Sequence, residues 1–240
     1  MILDQTQHQD LVSGQVHLWI ADIQVWLPEK GALLRTLDEE EVQRLERYKV
    51  HTKQEQFLAC RGITRMILAA YLQQDPADIQ FTTNKAGKPF LVDQQVQFNL
   101  SHSGSYLLLG VTYFDRIGVD IQEVYPISSM DKVIKSNFSG QEVAYLDSHP
   151  PDLRQELFFS IWTANEAYLK ALGEGFGISS RSIDLLPDPN LDISFLLVDP
   201  TVTGNNPPWT IQAINLPQGY QGALAVDGLV EEVLEIRLAP

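Results

Sequence analysis

IGVDIQE at Ile117–Glu123 and WTANEAYLK at residues 162–170 are the two stretches on which the reading of this chain turns. In the first, Ile117, Val119 and Ile121 alternate with Gly118, Asp120 and Gln122, which is the period of a β-strand. Asp120 and Gln122 therefore share the face opposite the apolar set, either as a solvated surface or as two oxygen ligands for a hard cation such as Mg²⁺. In the second, Trp162, Glu166 and Lys170 recur at i, i+4 and i+8 and form one stripe of a helix. That stripe is either a core Trp beside a surface Glu–Lys pair, or a second metal carboxylate with a cation for phosphate oxygens.

Working outward, residues 16–27 alternate and carry β-branched and aromatic side chains, so they read as a strand. Thr36 or Asp38 caps a following helix that has acids in its first turn. A longer helix covers residues 53–73 and stops at Asp75–Pro76. Short strands are expected at 79–82, 96–100, 106–113 and 117–122. Helices follow at 130–136, 140–147 and 152–172, then the glycine-rich GEGFG (173–177) and extended segments at 191–198, 209–215, 222–226 and 233–238. Helices followed by strands in both halves imply an α+β fold of two similar α/β subdomains, residues 1–117 and 118–240, with a ligand site at their junction.

Composition limits the partners. The 240 residues are 44% hydrophobic with a mean hydropathy of −0.10, ordinary for a chain with a sizeable core. No run approaches the roughly 18–20 apolar residues of a membrane span, and the polar, acidic start does not resemble a secretory signal, so a cytoplasmic protein is expected. The single Cys60 excludes an intrachain disulfide or a cysteine-cluster zinc site. A net charge of −14 argues against nucleic acid. Eight of the seventeen bases nevertheless fall between Arg44 and Lys88 against four acids, leaving nine bases and twenty-seven acids elsewhere. Such an island suits a small polyanion, or forms an ordinary solvated helix face.

FNLSHS (98–103) is expected to place Ser101, His102 and Ser103 where a strand ends, with hydroxyls, an imidazole and free N–H groups available to phosphate. No Gly-x-Ser-x-Gly elbow supports serine hydrolysis. NKAGKP (84–89) reads as a turn, and Lys88 there is otherwise an ordinary surface cation.

Taken in order, GKP (87–89), FNLSHS, IGVDIQ and WTANEAYLKALGEG (162–175) resemble the Sfp-type 4′-phosphopantetheinyl transferases, in their monomeric, pseudo-twofold form. The resemblance runs from about Lys49 to Gly177. It implies transfer of the 4′-phosphopantetheine arm of coenzyme A to a serine of an apo acyl, peptidyl or aryl carrier protein, releasing adenosine 3′,5′-bisphosphate. It implies Mg²⁺, or Mn²⁺, held by Asp120 and Glu166, with Gln122 in the third ligand position. Lys170 matches the lysine near the pyrophosphate, and either Glu166 or Lys170 serves as general base. Arg65, Lys88, Ser101 and His102 match nucleotide and 3′-phosphate contacts, with Lys49, Lys53, Lys85 and Asn99 as further cofactor-binding positions. Two departures stand out: Gln122 where a third acid is common, and Asn165 where a lysine is usual. They motivate a rival reading as a catalytically weak coenzyme A- or carrier-binding homologue; metal-dependent nucleotide hydrolysis is a third. The carrier is expected to dock on residues 125–146, through Met130, Lys132, Lys135 and Phe138.

Overall fold

The computed structural model describes residues 10–93, 95–114, 116–173, 179–188, 194–197 and 208–239. Strand β1 (Gln15–Asp22) opens it and leads through the short α1 (Ile23–Trp26) and α2 (Lys30–Leu34) to α3 (Glu39–Glu46) and α4 (His51–Leu72). The hairpin β2 (Phe81–Thr83) and β3 (Pro89–Leu91) precedes β4 (Gln97–Ser103), β5 (Tyr106–Thr112) and β6 (Ile117–Glu123). Then come α5 (Met130–Asn137), α6 (Gly140–Asp147) and α7 (Arg154–Leu172), and five strands: β7 (Leu185–Pro187), β8 (Phe195–Leu197), β9 (Thr210–Ala213), β10 (Tyr220–Val226) and β11 (Glu232–Leu238).

Two sheets carry the architecture, in the orders β11-β1-β5-β4 and β6-β10-β9. Alternation in β1 divides its side chains between two cores: Trp19 and Ala21 pack with α4, whereas Val16, Leu18 and Ile20 meet Ile117, Val119 and Ile121 of β6. The layers therefore run α4, first sheet, second sheet, α7. On the outer face of β6, Gly118 lies against α7, where an added Cβ would come within 1.9 Å of the Ala167 carbonyl. Ala164, Ala167 and Ala171 present small side chains to the same sheet, so the helix settles close to the strand and brings Lys170 to Asp120.

The α+β class is borne out, and three details differ from expectation. The strand expected over 16–27 ends at Asp22, whose carboxylate accepts from Gln24 N and caps α1. FNLSHS lies within β4, paired with β5 from Gln97 to Ser103, and the turn falls at Gly104 (φ +53°). Strand β11 does not join the second half: it pairs in parallel with β1, Gln15 opposite Glu232. GEGFG beyond Gly173 lies outside the described residues, as does all of the segment 191–198 except 194–197. Among the described residues, no helix is long and apolar enough to cross a membrane.

Candidate active site

The site lies where β4, β6 and α7 converge. Asp120, 2% exposed, is buried because α7 covers its face of β6. Its Oδ1 accepts from Lys170 Nζ at 2.6 Å and from Ser101 Oγ at 2.8 Å, and its Oδ2 from Gln122 Nε2 at 3.2 Å. Lys170 also donates to Ser101 Oγ (2.9 Å) and the Val119 carbonyl (3.2 Å), so all three of its N–H groups are engaged. Ser101 further accepts from Ile121 N at 3.4 Å. Its neighbours on the same face, Asn99 and Ser103, accept from Val119 N and Glu123 N, each at 2.9 Å. Three polar side chains at i, i+2 and i+4 of β4 thus satisfy the free edge of β6.

Glu166 stands one turn before Lys170, half-buried, with no hydrogen-bond partner among the described residues. Burial, then the Asp120 charge, holds its carboxyl above the usual range, and Lys170 offsets part of that. The Lys170 ammonium pairs with Asp120, and Glu166 feels its charge without a hydrogen bond to it among the described residues. No group of three or more His, Cys, Asp or Glu that could hold a metal occurs among the described residues. Asp120 and Glu166 offer carboxylate oxygens, whereas Gln122 turns its amide nitrogen to Asp120; two oxygen side chains fit a hard cation that keeps several non-protein ligands.

Glu166 and Lys170 line a cleft of about 640 Å³ with Lys88, Asn99, Leu100 and Ser180. A second cavity of about 310 Å³ lies alongside, and Leu100 is in the wall of both. Arg44, Lys53, Arg61 and His102 surround it, with the rings of Tyr48 and Phe57. On β4, His102 points away from Ser101 and toward α4. Gln56 Nε2 lies 3.3 Å from its Nδ1; desolvation, then Lys170 and Lys53, keeps the imidazole below its usual pKa. With Nδ1 accepting from the amide, Nε2–H is the free donor.

The basic residues named from sequence scatter differently. Arg65 does not reach the cleft: it is fully buried, pairing with Asp38 and with Glu41 (2.6 Å) and donating to the Pro76 and Ile79 carbonyls. Lys49 and Lys85 are exposed and line neither cavity. Lys88 is drawn inward, and burial pulls its pKa down to about 8. Arg44 and Arg61, absent from the sequence-derived set, do line the basic cavity. A signal existed: Lys53, Phe57 and Arg61 repeat the i, i+4, i+8 stripe of Trp162, Glu166 and Lys170.

The family model described as the 4′-phosphopantetheinyl transferase superfamily matches residues 116–225, and the one described as 4′-phosphopantetheinyl transferase, N-terminal, matches residues 24–112. The transferase HetI of Nostoc sp. is 32% identical over 222 residues, covering 91% of this chain and 90% of the relative. The chain belongs to the 4′-phosphopantetheinyl transferases. A Synechocystis protein provisionally named for the same transferase is 40% identical, covering 70% of this chain and 71% of its own. The Sfp transferase of Bacillus subtilis is 28% identical, covering 68% and 69%. The superfamily match contains Asp120, Gln122, Glu166 and Lys170; the N-terminal match contains the whole basic cavity.

Proposed function

We propose that this 4′-phosphopantetheinyl transferase moves the phosphopantetheine arm of coenzyme A onto a serine of an apo acyl or peptidyl carrier protein. Adenosine 3′,5′-bisphosphate is the other product. The observation that carries this reading is the adjacency of the two cavities: a basic, aromatic-walled one for a phosphorylated nucleotide, and beside it the Asp120–Glu166–Lys170 site.

Arg44, Lys53, Arg61 and the His102 Nε2–H supply positive charge and donors for the nucleotide phosphates. Lys170 neutralises pyrophosphate oxygens entering the larger cleft, and Ser101 holds both Lys170 and Asp120 in place. Asp120 and Glu166 would hold Mg²⁺, or Mn²⁺, with Gln122 bracing Asp120 through its amide N–H; bound there, the ion would supply neutralisation of the pyrophosphate charge. The serine oxygen forms its bond to the phosphorus bearing pantetheine, and the bond from that phosphorus to the bridging oxygen breaks in line. The serine proton passes to Glu166 rather than Lys170, because the Lys170 ammonium already carries its protons and is filled by three acceptors. Glu166 accepts from no donor among the described residues, and a carboxylate that gives one oxygen to an ion keeps lone pairs for a proton.

The carrier meets the cleft beside α5. Lys132 and Lys135 are exposed there, and so is Tyr125, at 54%. Phe138, expected at that surface, is instead buried against Phe158 and Trp162. Both walls of the cleft come from one chain, which supports action as a monomer. Incubation with coenzyme A, Mg²⁺ and a panel of apo carriers is expected to give a serine-linked arm by mass spectrometry, with adenosine bisphosphate released. Coenzyme A binding without modification of any carrier would refute transfer and leave a binding protein.

A further inference from the structure

The turn at 84–88 is anchored to the catalytic helix. Asn84 Oδ1 accepts from Ala86 N (2.9 Å) and Lys88 N (3.0 Å), closing the turn on itself, with Gly87 at φ +84°. The outward groups of that turn then go to α7. Asn84 Nδ2 donates to the Gly173 carbonyl at 2.7 Å, and Lys88 Nζ donates to the Lys170 carbonyl at 2.7 Å and the Ile117 carbonyl at 2.8 Å.

The last carbonyls of a helix lack intrahelical donors, and its C-terminus attracts cations. Here α7 ends at Gly173 in the left-handed region (φ +70°), whose N–H returns to the Leu169 carbonyl. Of the carbonyls from Lys170 to Gly173 that lie beyond this bond, a segment from the other half of the molecule satisfies two, those of Lys170 and Gly173. Lys170 is thus gripped twice: its side chain by Asp120 and Ser101, its backbone by Lys88. The Ile117 contact ties the same ammonium to β6, the strand that carries Asp120.

From this geometry we infer that Asn84 and Lys88 are positioning residues: they cap the last turn of the catalytic helix from outside and fix Lys170 and Glu166 relative to Asp120. Lys88 acts through that backbone, and holding coenzyme A phosphate is not its main task. The inference rests on the transferase reading for its kinetic arm only.

Three variants of the full-length chain test it: Lys88→Met, which keeps the stem and removes the ammonium, Lys88→Arg, which restores donors, and Asn84→Asp, which keeps the acceptor of the turn and removes the Gly173 bond. Lys88→Met is expected to lower kcat roughly ten- to a hundredfold while the Kd for coenzyme A, by calorimetry, changes less than about threefold. Lys88→Arg should recover most of kcat, and Asn84→Asp should shift kcat in the same direction by a smaller factor. Hydrogen exchange by mass spectrometry should show faster exchange in residues 168–173 of both defective variants. A Kd raised as far as kcat/KM falls, at unchanged kcat, would overturn the inference in favour of a direct phosphate contact. Loss of kcat that follows the thermal midpoint, without rescue by arginine, would overturn it in favour of a merely structural role. If the parent modifies no carrier, the transferase reading fails, and unchanged exchange in residues 168–173 then overturns the cap independently. Should Lys88→Met not fold, the Asn84→Asp and Lys88→Arg pair carries the same outcomes.

Discussion

Helices α4 and α7 each lay a basic residue against carboxylates, and the two arrangements serve opposite ends. Arg65 of α4 spends its guanidinium on Asp38, Glu41 and two backbone carbonyls, and is closed off from solvent. Lys170 of α7 faces Asp120 and Glu166 but saturates only the first, and the cluster opens into a cleft. The difference lies in the count of donors against acceptors. Arginine presents five N–H groups in a rigid fork and satisfies its acids completely, which makes a structural clasp. Lysine has three, and the surplus carboxylate is what remains available for a cation and a proton.

Removing charge from each cluster should expose that contrast. Asp120→Ala is expected to reduce kcat/KM by about 10³-fold or more, roughly 4 kcal/mol of transition-state stabilisation, with a smaller loss of stability than Arg65→Met because Glu166 one turn away can take up the released Lys170 ammonium. Steady-state assays beside melting curves check both halves. Arg65→Met should do the reverse: about 3–5 kcal/mol of stability lost in denaturant titration, because Asp38 and Glu41 lose their buried partner. The Kd for coenzyme A of the folded fraction should stay near the parent value; a large rise would return Arg65 to the nucleotide.

A third carboxylate sharpens the comparison because it has no cation at all. Glu142 is fully buried and accepts from Ser139 N (2.9 Å), Asn165 Nδ2 (2.9 Å) and Leu185 N (3.2 Å). Burial pushes its pKa from 4.5 to about 7, and nearby Asp184 adds to the rise. The folded chain then holds a proton that the unfolded chain has released, so stability should fall as pH climbs from about 4.5 to 7. The loss is at most about 3 kcal/mol. Asn165→Lys would place an ammonium beside the carboxylate and should flatten that slope in melting curves taken across the window. At the surface, Lys30→Met breaks the Lys30–Glu55 pair and should leave the denaturant midpoint at the parent value, because solvent screens exposed charges.

What could be read in advance follows the range of the forces involved. Helix α6 was legible residue for residue because Ser139 and Glu142 form a local capping box. The Asp120 face of β6 and the Glu166–Lys170 stripe were legible because each depends on a fixed local period. The fate of Arg65 was not, since the acids that claim it lie 24 and 27 residues upstream, on another element. Nor was the division of β4, where Ser101 turns to the acids and His102 to the basic cavity; that needs the register with β5. Strand β1 was overextended because alternation persists past Asp22, and only the cap on Gln24 reveals the change to helix.

Strand β11 bears on how the protein comes into being. During synthesis β1 leaves the ribosome long before its parallel neighbour, which is encoded 217 positions later, as Gln15 and Glu232 mark. Until then β1 exposes an unpaired edge of amide groups, a template for wrong partners. A contact of such sequence separation forms slowly and late. The first sheet can reach its native strand order only once the second has emerged, so completion of the half that contains α4 waits on the half that contains α7.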